Sequence, residues 1–541
     1  MLFLRSSLRQ NNSPEHITRH SLIAFSGLSL LYFLTRLYKL KELPLFTDES
    51  TYIRWAQIIA EDPSQFLLSL HIDAKQPLFH WINALTVFLF DDPLMSIRII
   101  SVFSGFLTAV AVYYIARLIH SESAGIVALL LYIFTPYMLI HNRIGIVASL
   151  LSMFTTYTLL TCLIISRSEE RRKKHFLFLG LFLTGAFLTK TTALLYFLLV
   201  PPAIYTLCGI RKANKILYYF FISYSVAFFI IAAINYGVSP PGEANPLFYQ
   251  NRFFLTIGEL ISFPFHLWWK NACILGGYIY SYLTLPIFLL VALSLLFAIR
   301  YKNRTYFVLY LWFLFPVIVL ILIGQILFSR YIVFSIPPAL VIASISMLYF
   351  REKSGEKFNK IKGNKLLANG VIALFFIPMI LLDYGVIMHP VKADFIEQDH
   401  FQYVSGWPSG YGIKETVEYL KGKAKEKPLT LFLTTIWGHP NDSLTLYLKN
   451  EPNIKIYEAH WWYKSPIVPG NVNYAQIGKS KYLREVTETI NFRELKETYF
   501  VTDSNKSPGK EFLMTNRNFY KVATFYKPGK KYSVDIYKLH N

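Results

Sequence analysis

Phe46-Thr47-Asp48-Glu49-Ser50 sets two adjacent carboxylates just past the first long apolar run of the chain. Carboxylates at a membrane face can take a proton from an attacking hydroxyl or ligate a metal. The plainer role for such a pair is a helix N-terminus, with Thr47 as the cap and Asp48 and Glu49 complementing the dipole. The two roles are compatible, because a capped helix end also fixes a catalytic side chain. Further on, His71-Ile72-Asp73-Ala74-Lys75-Gln76-Pro77-Leu78-Phe79-His80-Trp81 puts a lysine ahead of a proline-initiated helix. A lysine there suits a phosphate as a point charge, or serves as an ordinary interfacial cation. His80 fits an aromatic belt better than a catalytic role. Arg143, Lys190 and Arg330, the last followed by Tyr331, are three more cations at the ends of apolar runs, each able to act as a snorkelling anchor.

The elements that position these residues follow from composition. Of 541 residues, 54% are hydrophobic and only 16% are charged. A soluble domain carries roughly a quarter charged residues, so this chain lacks the polar surface to cover itself in water. Apolar runs give about eleven crossings, near 21–39, 96–119, 123–140, 145–166, 176–189, 192–208, 216–237, 275–299, 305–323, 331–350 and 366–388. The net charge of +21 resides largely in clusters between the runs: Arg171 to Lys174, Arg211 to Lys215, Arg300 to Arg304 and Arg351 to Lys365. With a cytoplasmic N-terminus all of these clusters fall inside, which is the positive-inside pattern and not a nucleic-acid stripe. The first run, Ser21 to Thr35, has no small-residue cleavage site and reads as an uncleaved anchor. Lys75, Arg143, Lys190 and Arg330 then lie toward the outer face, where charge bias gives no reason to keep cations and an anionic ligand would.

The expected organisation is a membrane part, 1–390, whose outer loop 40–95 carries the acidic pair, and an extracytoplasmic soluble α/β domain, 391–541. In the outer loop, Asp48 to Ile59 and Pro77 to Phe90 read as short helices on the membrane surface, with Trp55, Phe79 and Trp81 as interfacial aromatics. Phe263 to Trp269 has the same character. Phe176 to Thr189 is short for a span and turns at Lys190 into the next run. In the C-terminal region Tyr411 to Gly422 reads as a helix, with strands at Leu429 to Thr435, Ile454 to Glu458, Thr498 to Thr502, Lys521 to Phe525 and Tyr532 to Leu539. Trp407 and Tyr411, in a glycine-rich loop, could stack on a sugar or simply pack; His439 and Asp442 carry no assigned role. Cys162, Cys208 and Cys273 form neither a disulfide framework nor a zinc spacing.

In order along about residues 20–350, the acidic pair, Lys75-Gln76-Pro77-Leu78-Phe79-His80-Trp81, Arg143, Leu188-Thr189-Lys190 and Arg330-Tyr331 with Pro337-Pro338 resemble the C-type glycosyltransferases. The likeness is greatest to the bacterial branch of the dolichyl-phosphate-mannose protein mannosyltransferase family, which includes the lipid A aminoarabinose transferase. The resemblance implies a C-type glycosyltransferase fold in the plasma (inner) membrane. It makes Asp48, with Glu49 beside it, the catalytic carboxylate, and Lys75, Arg143, Lys190, Arg330 and Tyr331 the donor-phosphate site. Two departures stand out. The lysine segment reads Lys-Gln-Pro where the family has Lys-Pro-Pro, and Ala148 stands where the family commonly has an acid five residues after the arginine. Either Glu49 or Asp73 substitutes for that acid, or the acceptor is one that needs less activation.

The implied reaction moves a sugar from a polyprenyl-phosphate carrier to a lipid, glycan or protein acceptor outside the membrane. No nucleotide-cradling glycine loop is present, which suits a lipid donor. A divalent metal would find one acidic pair and no ligand spacing. The rival readings are a secondary transporter or flippase, which usually carries paired broken helices where only one short hairpin is legible here, and a scaffold, which leaves the outer cations unexplained.

Overall fold

The computed structural model describes residues 18–167, 172–234, 253–357, 364–433, 438–459, 472–476, 488–490, 497–504 and 519–540. Thr434, Thr435, Trp437 and part of the outer loop 238–274 lie outside them. Six helices are long and apolar enough to cross a membrane: Arg19–Leu37, Pro93–Ile119, Val147–Arg167, Thr191–Cys208, Arg304–Ile323 and Val333–Arg351. Lys174–Thr189, Tyr219–Ala232 and Ile372–Met388 are shorter apolar helices.

Two apolar runs expected as single rods are broken. Glu122–Phe134 and Pro136–Asn142 meet at 61°, and Phe265–Leu283 and Leu285–Tyr301 at 115°. Proline explains the first break: it starts the Pro136 helix and forces Thr135 before it into extended backbone (φ −74, ψ 119). At the second, Thr284 turns with φ 65 just ahead of a helix carrying Pro286 in its first turn. Broken helices are therefore more frequent than the single hairpin legible in the sequence.

The loop 40–95 is also more deeply embedded than expected. Thr47–Glu61 and Leu78–Thr86 are helices, but Trp55 is 1% and Phe79 0% exposed, inside the core rather than at its surface. What covers the Thr47–Glu61 helix is the C-terminal helix Asn441–Leu448, which packs along it. By contrast, Phe263, Phe265 and Trp269 are more than 60% exposed, as a lipid-facing segment requires.

The C-terminal sheet has seven strands in the order β4-β3-β2-β1-β5-β7-β6. They are β1 (Leu429–Leu433), β2 (Ile454–Ala459), β3 (Val472–Gln476), β4 (Glu488–Ile490), β5 (Thr498–Asp503), β6 (Phe519–Tyr526) and β7 (Ser533–Leu539). β2, β1 and β5 run parallel, with Phe432 opposite Tyr457 on one side and Phe500 on the other. The flanking pairs are antiparallel. Alternate residues Leu429, Leu431 and Leu433 face the Ile413–Glu426 helix, where Ile413, Leu420 and Ala424 complete one apolar cluster. β3, β4 and the Asn441 helix are elements that the sequence reading lacked.

Candidate active site

Asp48 and Glu49 are neighbours in sequence with opposite surroundings. Phe46, not Thr47, takes the N-cap of the Thr47–Glu61 helix, and it has no side-chain acceptor. Glu49 closes the helix start instead, its Oε2 accepting from the Phe46 N–H at 2.8 Å. The same carboxylate accepts from Arg98 Nε and Nη2, both at 2.8 Å, and from the Gly145 N–H at 2.6 Å. Both side chains of the Glu49–Arg98 pair are fully buried. Arg98 also donates to the carbonyls of Leu40, Leu43 and Pro44, so the pair pins the loop leaving the first helix. Asp48 points the other way. Its side chain is 28% exposed, and Oδ2 sits 3.4 Å from Arg330 Nη2.

Three of the cations expected on the outer face gather near Asp48. Arg330 lies in the turn Ser329–Tyr331, its guanidinium 4.1 Å over the Phe328 ring and 5.4 Å over Phe46, with Nη1 donating to Gln402 Oε1 at 3.2 Å. Burial, the largest single influence, would lower Arg330, but Asp48, Tyr331, Tyr403 and Tyr52 together outweigh it and the net shift is upward. Lys190 sits at the break between two helices with its ammonium 4.3 Å over the Tyr331 ring. Burial, with Arg330 and Lys75 nearby, pushes Lys190 down to about 7. Lys75 stands 4.8 Å over Tyr52 and 5.5 Å over Trp55 and pairs with Asp73 at 2.8 Å. Burial's lowering of Lys75 is outweighed by Tyr52, Asp73 and Asp48, so its ammonium is held. With three cations against the carboxylates of Asp48 and Asp73, and aromatic faces around them, the region is short of negative charge, most acutely at Lys190, and suited to an anion.

Arg143 is elsewhere engaged. Its Nη1 donates to the carbonyls of Thr35, Arg36 and Tyr38 and its Nη2 to that of Lys39, so it caps the carbonyl end of the first helix. His80 is fully buried, edge-on to Tyr52 at 4.9 Å and Trp55 at 5.1 Å; burial lowers it to about 3 and keeps it neutral.

Residues that the sequence reading missed complete the surroundings. Arg98 carried a usable signal, since an arginine inside an apolar run has to have a partner. Asp399, buried just after the last apolar helix, accepts from Ser329 Oγ and Tyr282 Oη, each at 2.8 Å, and so fixes the turn that bears Arg330. Among the described residues no group of three His, Cys, Asp or Glu side chains could hold a metal ion. Glu49 is saturated by Arg98 and backbone, and Asp48 faces a guanidinium, so this donor set does not fit a divalent cation.

The sequence profile of the dolichyl-phosphate-mannose-protein mannosyltransferases matches residues 74–236, which include Lys75, Arg143 and Lys190. A search of curated proteins finds no match. Among solved structures, ArnT from Cupriavidus metallidurans in the apo state is similar with a TM-score of 0.61 at 14% identity, over 95% of this chain and 97% of that one. The same protein bound to undecaprenyl phosphate gives 0.54 at 13%, over 96% and 98%. The Archaeoglobus fulgidus oligosaccharyltransferase in its apo form gives 0.50 at 10%, over 79% of this chain and 63% of that one. The chain thus resembles the mannosyltransferase family over its matched segment and has, nearly end to end, an ArnT-like helical fold with a C-terminal sheet domain.

Proposed function

We propose that this protein is a membrane glycosyltransferase that moves a sugar from a polyprenyl-phosphate carrier to an acceptor on the extracytoplasmic face. The observation that carries this reading is the meeting of Asp48 with Arg330, Lys190 and Lys75, drawn from four separate parts of the chain, around one region. The resemblance to ArnT, one of whose structures holds undecaprenyl phosphate, supports a lipid-phosphate donor.

In the proposed reaction the acceptor oxygen attacks the anomeric carbon while the bond from that carbon to the phosphate oxygen breaks. Asp48 takes the acceptor proton, and the carrier leaves as the phosphate anion. Lys75, Lys190 and Arg330 hold that phosphate and stabilise its developing charge, and Tyr331 keeps Lys190 and Arg330 in register. A single displacement inverts the anomeric centre. Glu49 and Arg143 drop out of the chemistry, since their polar atoms are spent on the fold. The acceptor class, whether lipid, glycan or protein, stays open in this reading, as does the sugar.

The lysine provides the first test. Lys75→Ala is expected to raise the donor concentration needed for half-maximal transfer on the order of tenfold or more, with little effect on acceptor dependence, and Lys75→Arg to recover part of the loss. Unchanged donor dependence in micelles would make Lys75 an interfacial anchor. The second test is topology. The proposed eleven crossings with a cytoplasmic N-terminus stand beside six helices long enough to cross, up to eight if each bent pair is one span, and three shorter apolar helices among the described residues. Reporter fusions after Asn303 and Gly355 should then read as cytoplasmic, and those after Asp73 and Thr430 as external. The reverse at Asp73 and Thr430 would remove the site from the outer face.

The broken helices are what a secondary transporter or flippase would share. Purified protein in detergent, with no compartments to transport between, distinguishes the two. Formation of glycosylated acceptor there belongs only to a transferase.

A further inference from the structure

An open α/β sheet takes its ligands at the carboxyl ends of its parallel strands, where the chain reverses its direction of winding. Here that point is β1, because β2 lies on one side of it and β5 on the other, all three parallel. Past the end of β1 comes the loop Gly438–Asp442, and at the end of β5 stands Asp503. The first meets the segment that carries Asp48 directly, and the second reaches it through Lys527 and residues 407–409.

From the β1 side, the His439 N–H donates to Thr47 Oγ1 at 3.2 Å and His439 Nε2 to the Leu45 carbonyl at 3.0 Å. Asp442 Oδ2 accepts from Thr51 Oγ1 at 2.8 Å and from the Gly438 N–H at 2.6 Å, tying Gly438 and the start of the Asn441–Leu448 helix to the second turn of the site helix. Gly438 has φ +74, and a Cβ there would overlap the Thr47 hydroxyl. From the β5 side, Asp503 pairs with Lys527 at 3.1 Å, both side chains fully buried. The Lys527 ammonium also donates to the carbonyls of Trp407 and Ser409, at 2.7 and 2.8 Å. Between those two residues the Pro408 carbonyl accepts the Thr47 N–H at 3.0 Å. Trp407 and Tyr411 thus belong to a loop whose backbone is committed to Thr47.

We infer that the carboxyl-end crevice of the C-terminal sheet takes the segment Leu45–Thr51 in place of a small ligand, and that Gly438, His439, Asp442 and Lys527 are positioning residues for Asp48. The inference rests on the reading of Asp48 as the base. The sheet domain then governs turnover more than donor affinity, because Lys75 and Lys190 are held by other parts of the chain and only Arg330 touches the clamped segment, at Asp48 and Phe46. A displacement on the order of 1 Å at a reacting group can cost about 100-fold in rate.

The test uses the full chain in detergent, with turnover read as undecaprenyl phosphate released from the sugar-loaded carrier of native membranes, and binding measured with undecaprenyl phosphate itself. Gly438→Ala should lower turnover roughly 10- to 100-fold while binding changes by less than about twofold. Thr51→Val, the gentler variant should Gly438→Ala fail to fold, should lower turnover and speed amide exchange in residues 46–52. Thr51→Ser should restore both. Wild-type turnover in Thr51→Val and Gly438→Ala beside an inactive Asp48→Asn overturns the clamp, as does an equal loss of binding and turnover. Wild-type turnover in Asp48→Asn overturns the base assignment instead.

Discussion

Asp48→Asn is expected to reduce transfer by about 10²- to 10⁴-fold, the usual contribution of a general base, with no loss of folded protein. The amide is nearly isosteric and can still accept from Arg330 Nη2, so the geometry of the Ser329–Tyr331 turn should survive. What is lost is the ability to take a proton. The side chain is partly exposed and paired at 3.4 Å, so its charge adds little to stability. Release of carrier phosphate in a purified, detergent-solubilised preparation measures the loss, and a thermal unfolding midpoint within a degree or two of wild type shows that it is chemical. Turnover near wild type would leave the acceptor proton to another group and remove the base from the proposed reaction.

The helical membrane-type fold was legible in the apolar runs, and two independent sequence signals agree on the expected topology. Apolar runs mark where the chain can cross, and the basic clusters from Arg171 to Lys365 alternate with them in phase. The breaks at Thr135 and Thr284 were less legible, since a broken and a straight helix have the same average hydropathy and only the following prolines mark the difference. Among the candidate site residues, Lys75 stands out as a cation ahead of a proline-initiated helix, and Asp48, Lys190 and Arg330 as ions at the edges of apolar runs. Arg143 carries the same signature, yet its donors go to four carbonyls around the end of the first helix. Nothing in sequence tells a cation awaiting a phosphate from one awaiting a helix terminus, because both partners are arrays of oxygen. The clamp was least legible. Gly438 and Asp442 meet Thr47 and Thr51 across nearly 400 residues, and their types are those of any turn after a strand.

Glu49 is expected to behave as the opposite of its neighbour: Glu49→Gln should cost the fold and not, in the first place, the chemistry. Removing one partner of a fully buried ion pair strands the other charge, which typically costs about 3–5 kcal/mol. Here the stranded group is Arg98, with no exposed surface of its own. Gln would keep one acceptor oxygen where the carboxylate now serves the Phe46 and Gly145 N–H groups as well as two guanidinium nitrogens. Against the small net stability of folded proteins, such a loss should appear as a sharply lower unfolding midpoint and poor recovery from membranes. Removing both charges, as Glu49→Leu with Arg98→Met, should not restore wild-type stability. Arg98 also serves the carbonyls of Leu40, Leu43 and Pro44, and these would be left without a donor in a buried place. The paired measurement separates the two carboxylates. A normal midpoint with turnover lost in Glu49→Gln would move Glu49 into the chemistry. A lowered midpoint in Glu49→Gln, beside a normal one in Asp48→Asn, leaves one carboxylate building the site and the other acting in it.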